Sequence, residues 1–221
     1  MRAKEFIIES TPVDTIAQII DIIRRDCQLF LLQVQPLKLN LLYRGVATDN
    51  SRPIIKSQGN ILRHRVPSMT PPNAQIAIDD FLERETGRRW RESSVFATHD
   101  YVTTSNYGQP FAIFPIGEFE FCYSPIIYDL FITLQRSGVK DKASIYQFND
   151  EDPDSVAKAS KSLYNTMANA AYTTSDLKSG IVAGVEIMIR CEEYYLVPII
   201  VMRELLSYLQ KNEIHLPDFD L

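Results

Sequence analysis

No stretch of this chain reaches the roughly 18 to 20 consecutive apolar residues that a membrane-spanning helix needs. Nor does its start read as a signal peptide, so no membrane is expected among its partners. Cysteine is scarce: Cys27, Cys122 and Cys191 are odd in number and form no CxxC pair. That pattern points to unpaired thiols and a reducing cytoplasm. The three histidines, His64, His99 and His215, have no ligand spacing with those cysteines, which argues against a structural zinc site. No metal is expected. Charge is not blocked either; the formal net charge of −5 is spread along the chain. A basic surface for duplex nucleic acid is therefore not advertised, while a local cationic cleft for a dinucleotide stays compatible with it. Repeats and linkers are also missing, so residues 1–221 are read as one domain, with a helical N-terminal region at 1–36 and a core at 37–221.

What is present is apolar and ordered by period. Hydrophobic residues make up 45% of the 221, enough to bury a sizeable core. Ile16, Ile19, Ile20 and Ile23 recur on one helical face, with a start expected near Ser10-Thr11-Pro12. Leu37, Leu39 and Leu41 alternate with polar residues and predict a strand that runs through Tyr43. Residues 47–73, rich in proline and polar side chains, read as one long irregular segment, a kind of loop that is often functional. Helices are expected at 74–84, stopped by Gly87, and at 126–137, 155–171 and on to Leu209 at the end. Strands are expected at 94–98, 111–117, 119–123, 182–189 and 194–201, with a polar turn and short helix over 99–108.

Three segments carry a pattern beyond this periodicity. They are Leu42-Tyr43-Arg44-Gly45-Val46; Val95-Phe96-Ala97-Thr98 followed by Ser105-Asn106-Tyr107-Gly108; and Gly184-Val185-Glu186-Ile187-Met188-Ile189 followed by Tyr194-Tyr195-Leu196-Val197. In this order they resemble the motif series of ADP-ribosyltransferases of the arginine–serine/threonine–glutamate type. The stretches Arg52-Pro53, Arg91 to Thr98 and Ile113 to Gly117 are similar to proteins of tailed bacteriophages with the same pattern. More weakly, Glu5 to Ser10 resembles capsid-targeting peptides of proteins packaged in some phage heads.

The resemblance implies an α+β fold of split antiparallel sheets with flanking helices. It also implies NAD as substrate and a host protein or nucleic acid as acceptor. The site of action would be the host bacterial cytoplasm, with packaging in a virion as a further setting. The reaction breaks the nicotinamide–ribose bond through a sugar cation. Arg44 would pair with the phosphates or ribose in a fixed fork, and Gly45 would let the backbone approach the nicotinamide amide. Glu186 would accept the ribose 2′-hydroxyl and oppose the developing charge, with Thr98 orienting it by a hydroxyl hydrogen bond. A ring from Tyr101, Tyr107 or Phe111 would stack on the nicotinamide, the sequence not choosing among them.

Each residue has a plainer reading. Arg44 ends a strand, Thr98 is an ordinary strand threonine, and Glu186 faces solvent on an edge. Glu192 and Glu193 are rival carboxylates if the third motif is displaced by one strand. The Arg88-Arg89-Trp90-Arg91 cluster reads as a cationic face near a helix end, or as a phosphate contact. Gly184 stands where protein-modifying members carry Glu or Gln, so a protein-arginine acceptor is not supported. An inactive binding protein on the same fold is the alternative, either an inhibitor of a host defence or a protein packed in the virion.

Overall fold

The computed structural model describes residues 7–8, 15–35, 41–48, 52–61, 70–134, 147–148 and 152–214. Within them the chain is mixed α+β: eight strands form two antiparallel sheets, and helices flank them. The elements are β1 (Ile7–Ile8), α1 (Ile16–Asp26), α2 (Gln28–Gln33), β2 (Tyr43–Val46), β3 (Ile55–Gln58), α3 (Pro72–Thr86), α4 (Trp90–Ser93), β4 (Val95–Ala97) and α5 (Tyr101–Thr104). A 3₁₀ turn at Ser105–Tyr107 leads to β5 (Gln109–Pro115) and β6 (Phe119–Tyr123). Then follow α6 (Pro153–Ala168), α7 (Leu177–Ala183), β7 (Ile187–Cys191), β8 (Glu193–Pro198) and α8 (Ile199–Lys211). No helix among the described residues is long and apolar enough to cross a membrane.

The larger sheet runs β1-β3-β8-β5-β2 and the smaller β4-β7-β6. β5 and β6 are neighbours in sequence, yet they do not pair. Gly117, at φ 63°, turns the chain out of the first sheet and into the second. The chain crosses back between β7 and β8. The central strand of the small sheet is buried on both sides, since Ile187, Ile189 and Cys191 face one apolar cluster and Met188 the other. This is why Ile187, Met188 and Ile189 read as an apolar run and not as an alternation. The first cluster also takes in Ile19, Ile23, Phe30 and Leu205 from α1, α2 and α8. The second gathers α3 and α6 around Trp90.

Several boundaries differ from the sequence expectation. The helix start at Ser10–Pro12 and residues 37–40 lie outside the described residues. α1 begins after Thr15, whose hydroxyl accepts the Gln18 N–H while the Gln18 amide accepts that of Thr15, a closed capping box. Leu41 and Leu42 are buried but precede the strand, so β2 is the Tyr-Arg-Gly-Val segment itself. Part of the 47–73 segment is β3, an inner strand of the large sheet. Its four residues bury only Ile55 and Ser57, too little for the periodicity to register. Helix 126–137 starts late, with helical residues at 130–134. The strand expected at 182–189 is instead the end of α7, a left-handed Gly184 at φ 69°, and then β7 from Ile187.

The C-terminal end of α1 is tied to the large sheet through the Asp26 side chain. The Tyr195 hydroxyl donates to Asp26 Oδ2 at 2.7 Å, and Arg25 Nε donates to Oδ1 at 2.7 Å. The Arg25 hydrogen bond holds the Asp26 carboxyl below its ordinary value, against partial burial, and the tyrosine adds to it. A depressed carboxylate contributes stability above the ordinary value of 3.8 and loses it as pH falls through the folded value. Asp26→Asn is expected to lower unfolding stability at pH 7 by on the order of 1 kcal/mol. Denaturant midpoints followed from pH 7 to pH 2 should bring wild type and variant together at the acid end.

Candidate functional site

The two sheets meet along one seam. Tyr43 on β2 and Thr98, just past β4, exchange backbone hydrogen bonds of 2.7 and 2.9 Å in an antiparallel bridge. On the far side of β4, Ala97 is in register with Ile187. Three segments remote in sequence therefore lie on neighbouring strands in the order β2, β4, β7. Leu41, Leu42, Val185, Ile187 and Ile189 all belong to the same apolar cluster.

Of the residues singled out from the sequence, Arg44, Thr98 and Glu186 are brought towards this seam. The Arg44 guanidinium donates to the Phe96 carbonyl at 3.2 Å. It lies near Cys191, whose thiol burial pushes up to about 12 with the Arg44 charge opposing. The Thr98 hydroxyl donates to the Gly184 carbonyl at 3.1 Å and accepts the Asp100 N–H at 3.2 Å. Its link to Glu186 is thus indirect: it holds the turn that delivers the carboxylate. Glu186 stands just before β7, and its N–H donates to the Tyr128 carbonyl at 3.0 Å.

The partner of the Glu186 side chain is Arg91. Its Nη1 donates to Glu186 Oε1 at 3.2 Å, the arginine side chain being 6% exposed and the glutamate 25%. Arg91 is itself held on three sides. Its Nε donates to Gln75 Oε1 at 3.2 Å, its N–H to Asp79 Oδ1 at 2.7 Å, and its guanidinium lies 4.8 Å over the Phe96 ring. Gln75 Nε2 closes the group by donating to Asp79 Oδ2 at 2.8 Å. Burial pushes the Asp79 carboxyl up, while the Arg91 N–H and the Gln75 amide pull it down.

Two phenols feel the charges of this ion pair. The Tyr107 hydroxyl donates to Asp129 Oδ2 at 3.2 Å. Burial, then Asp129, then the Glu186 charge push its ionisation up to about 12, with Arg91 opposing. Tyr172 is pushed up as well, chiefly by burial, with the charges of Arg91 and Glu186 acting in opposite directions. Both phenols therefore stay protonated, as donors, at neutral pH.

The other sequence candidates fall elsewhere. Phe111 is fully buried in the larger apolar cluster, in register with Arg44, and offers no open face for stacking. Tyr101, 46% exposed, meets the Tyr43 ring edge-on at 6.0 Å, while Tyr107 is 49% exposed. A β-carbon on Gly45 would stand 2.1 Å from the Thr104 carbonyl oxygen and 2.9 Å from the Tyr107 β-carbon. The space above this glycine is thus taken by the chain's own α5 and 3₁₀ turn. Glu192 and Glu193 follow β7 at its opposite end, and Glu193 pairs with Lys56 at 2.7 Å. The arginine cluster divides. Arg88 meets Glu120, Arg89 meets Asp80 and Glu92, and Arg91 turns inward.

Gln75 and Asp79 were missed, and Arg91 was named only within the cationic cluster and not as the partner of Glu186. The signal lay in α3, where Gln75 and Asp79, four apart, share the buried face with Ala74, Ile78 and Leu82. Two polar side chains on an apolar face require a buried partner.

Gly45→Ala is expected to unseat α5 and cost roughly 1–3 kcal/mol of stability through overpacking. Thermal unfolding, with hydrogen exchange over 101–108, checks it; unchanged stability would mean that this contact gives way freely. No protein-family model matches the chain, and neither a curated protein nor a solved structure matches it.

Proposed function

We propose that the chain is an NAD-consuming enzyme of the ADP-ribosyltransferase type, encoded by a phage and directed at a macromolecule of the host. One observation carries the reading. The segments around Arg44, Thr98 and Glu186 stand on three neighbouring strands across the seam of two antiparallel sheets, joined by the Tyr43–Thr98 bridge and the Ala97–Ile187 register. They are separated by 54 and 88 positions in the chain, and nothing in strand periodicity requires them to gather.

In this reading the bond between ribose C1′ and the nicotinamide nitrogen breaks, and nicotinamide leaves with the electron pair. A nucleophile of the acceptor, or water, bonds to C1′ and gives its proton to solvent. Glu186 accepts the ribose 2′-hydroxyl and offsets the charge that grows on the sugar. Arg44 draws the phosphates or ribose to the seam. Thr98 acts at one remove, by fixing the Gly184 carbonyl and with it the turn before Glu186. Tyr107, half exposed on the turn that packs over Gly45, is the ring this reading assigns to stack on nicotinamide.

A second reading, a binding protein on the same fold without turnover, is favoured by the ion pair that occupies Glu186 and by the filled space above Gly45.

Incubation with labelled NAD, alone and with host lysate, separates the two. Label transfer or nicotinamide release is expected, falling about 10²- to 10³-fold in Glu186→Gln. Activity that survives the substitution would remove Glu186 from the reaction. Neither turnover nor NAD binding would leave the binding protein.

A further inference from the structure

The Glu186–Arg91 pair carries an inference that rests on the reading above. We propose that Arg91 is a positioning residue for the Glu186 carboxylate, doing directly what the Thr98 hydroxyl does only through the turn.

The argument is geometric. Glu186 stands outside the strand, after a left-handed glycine, where backbone pairing alone does not fix its side chain. Its N–H is held by Tyr128, and its Oε1 by a guanidinium that cannot swing away. The Gln75 amide, the Asp79 carboxylate and the Phe96 face hold Arg91 from three directions, and its side chain is 6% exposed. A guanidinium is planar and keeps its five donors in fixed directions, so the tethered Arg91 hands that rigidity to the carboxylate. Burial keeps Arg91 out of reach of a bound dinucleotide, while Glu186 keeps a quarter of its side chain open to it. A surface ion pair of two mobile chains would do none of this. The arrangement also gives the α3–α4 corner a purpose: Gln75 and Asp79 sit on a buried helix face where apolar residues would otherwise stand.

The test is a double-mutant cycle with two readouts on the full chain. Arg91→Gln and Glu186→Gln should each lower the melting temperature by roughly 5–10 °C, and together by no more than either alone, since each breaks the same pair and strands the other member. Nicotinamide release should fall about 10²-fold in kcat for Arg91→Gln with KM for NAD within about twofold, and no further in the Glu186→Gln background. Arg91→Lys keeps the charge without the fork. It guards against loss of folding, and it should fold normally with kcat still reduced about tenfold.

Additive melting shifts would overturn the proposal, because the pair would not exist in solution. Multiplying kcat losses, or a loss confined to KM, would overturn it too, by showing that Arg91 does not act through Glu186. Coupled melting shifts in a protein that turns over no NAD would refute the functional reading itself, and Arg91 would then be only the inner half of a structural ion pair.

Discussion

Two backbone hydrogen bonds between Tyr43 and Thr98 hold the rest of the arrangement in place. They are the point at which the edge of the five-stranded sheet touches the edge of the three-stranded one. A strand edge presents unpaired donors and acceptors, and a protein must cover it or pair it. Here one edge covers the other. The bridge spans a single residue pair, Tyr43 and Thr98, and side chains make the further contacts across the seam. Arg44 reaches the Phe96 carbonyl along the seam, and the Thr98 hydroxyl reaches the turn at Gly184. Had β2 and β4 zipped further, ladder bonds would occupy those groups.

The second constraint is the way carboxylate and guanidinium are buried. An arginine that is 6% exposed must have its charge matched, or folding bears a desolvation cost of several kcal/mol. Asp79 and Gln75 take the backbone N–H and Nε, the Phe96 face takes the ring-like cation, and Glu186 takes Nη1. The four partners come from three elements: Gln75 and Asp79 from α3, Phe96 from β4, and Glu186 from the turn before β7. The helical corner and the small sheet are therefore locked by the same group that fixes the carboxylate, which couples the site to the fold around it.

Much of this was legible in the sequence, and the failures have definite causes. Helices with a clear apolar stripe, such as α1 through Ile16, Ile19, Ile20 and Ile23, were read correctly because burial on one face imposes a period. The core strands β5, β6 and β8 were visible as apolar runs, but the strand expected at 194–201 runs too far: it ends at Pro198, and the apolar Ile199, Ile200 and Val201 open α8. β3 was not, because four residues with a buried serine make no run. The start of β7 was misjudged because Val182, Ala183 and Val185 are as apolar as a strand. Only the left-handed Gly184 shows that the helix ends and the chain turns there. For the candidate site, the sequence located three backbone positions and missed the side-chain partners. Motif spacing reports where strands begin and end. Which hydroxyl meets which carbonyl depends on register between segments tens of residues apart, and no local pattern encodes that.

The fate of Thr98 shows what such a register does. A hydroxyl at this position has one proton to give, and here it goes to the Gly184 carbonyl, the exposed last acceptor of a capped helix. If α7 ended one residue later, that carbonyl would point elsewhere and the hydroxyl would be left to seek the Glu186 carboxylate. The left-handed glycine therefore settles two things together: it ends α7 where its carbonyl satisfies Thr98, and it leaves Glu186 outside the β-ladder with its carboxylate directed at Arg91. A side chain with a β-carbon disfavours φ 69° by roughly 1 kcal/mol. A Glu or Gln at this position would either bear that cost or shift the turn that presents Glu186. On the proposed reading, glycine here exchanges an acceptor-facing side chain for a fixed carboxylate, and the arginine that fixes it lies on the opposite, buried wall.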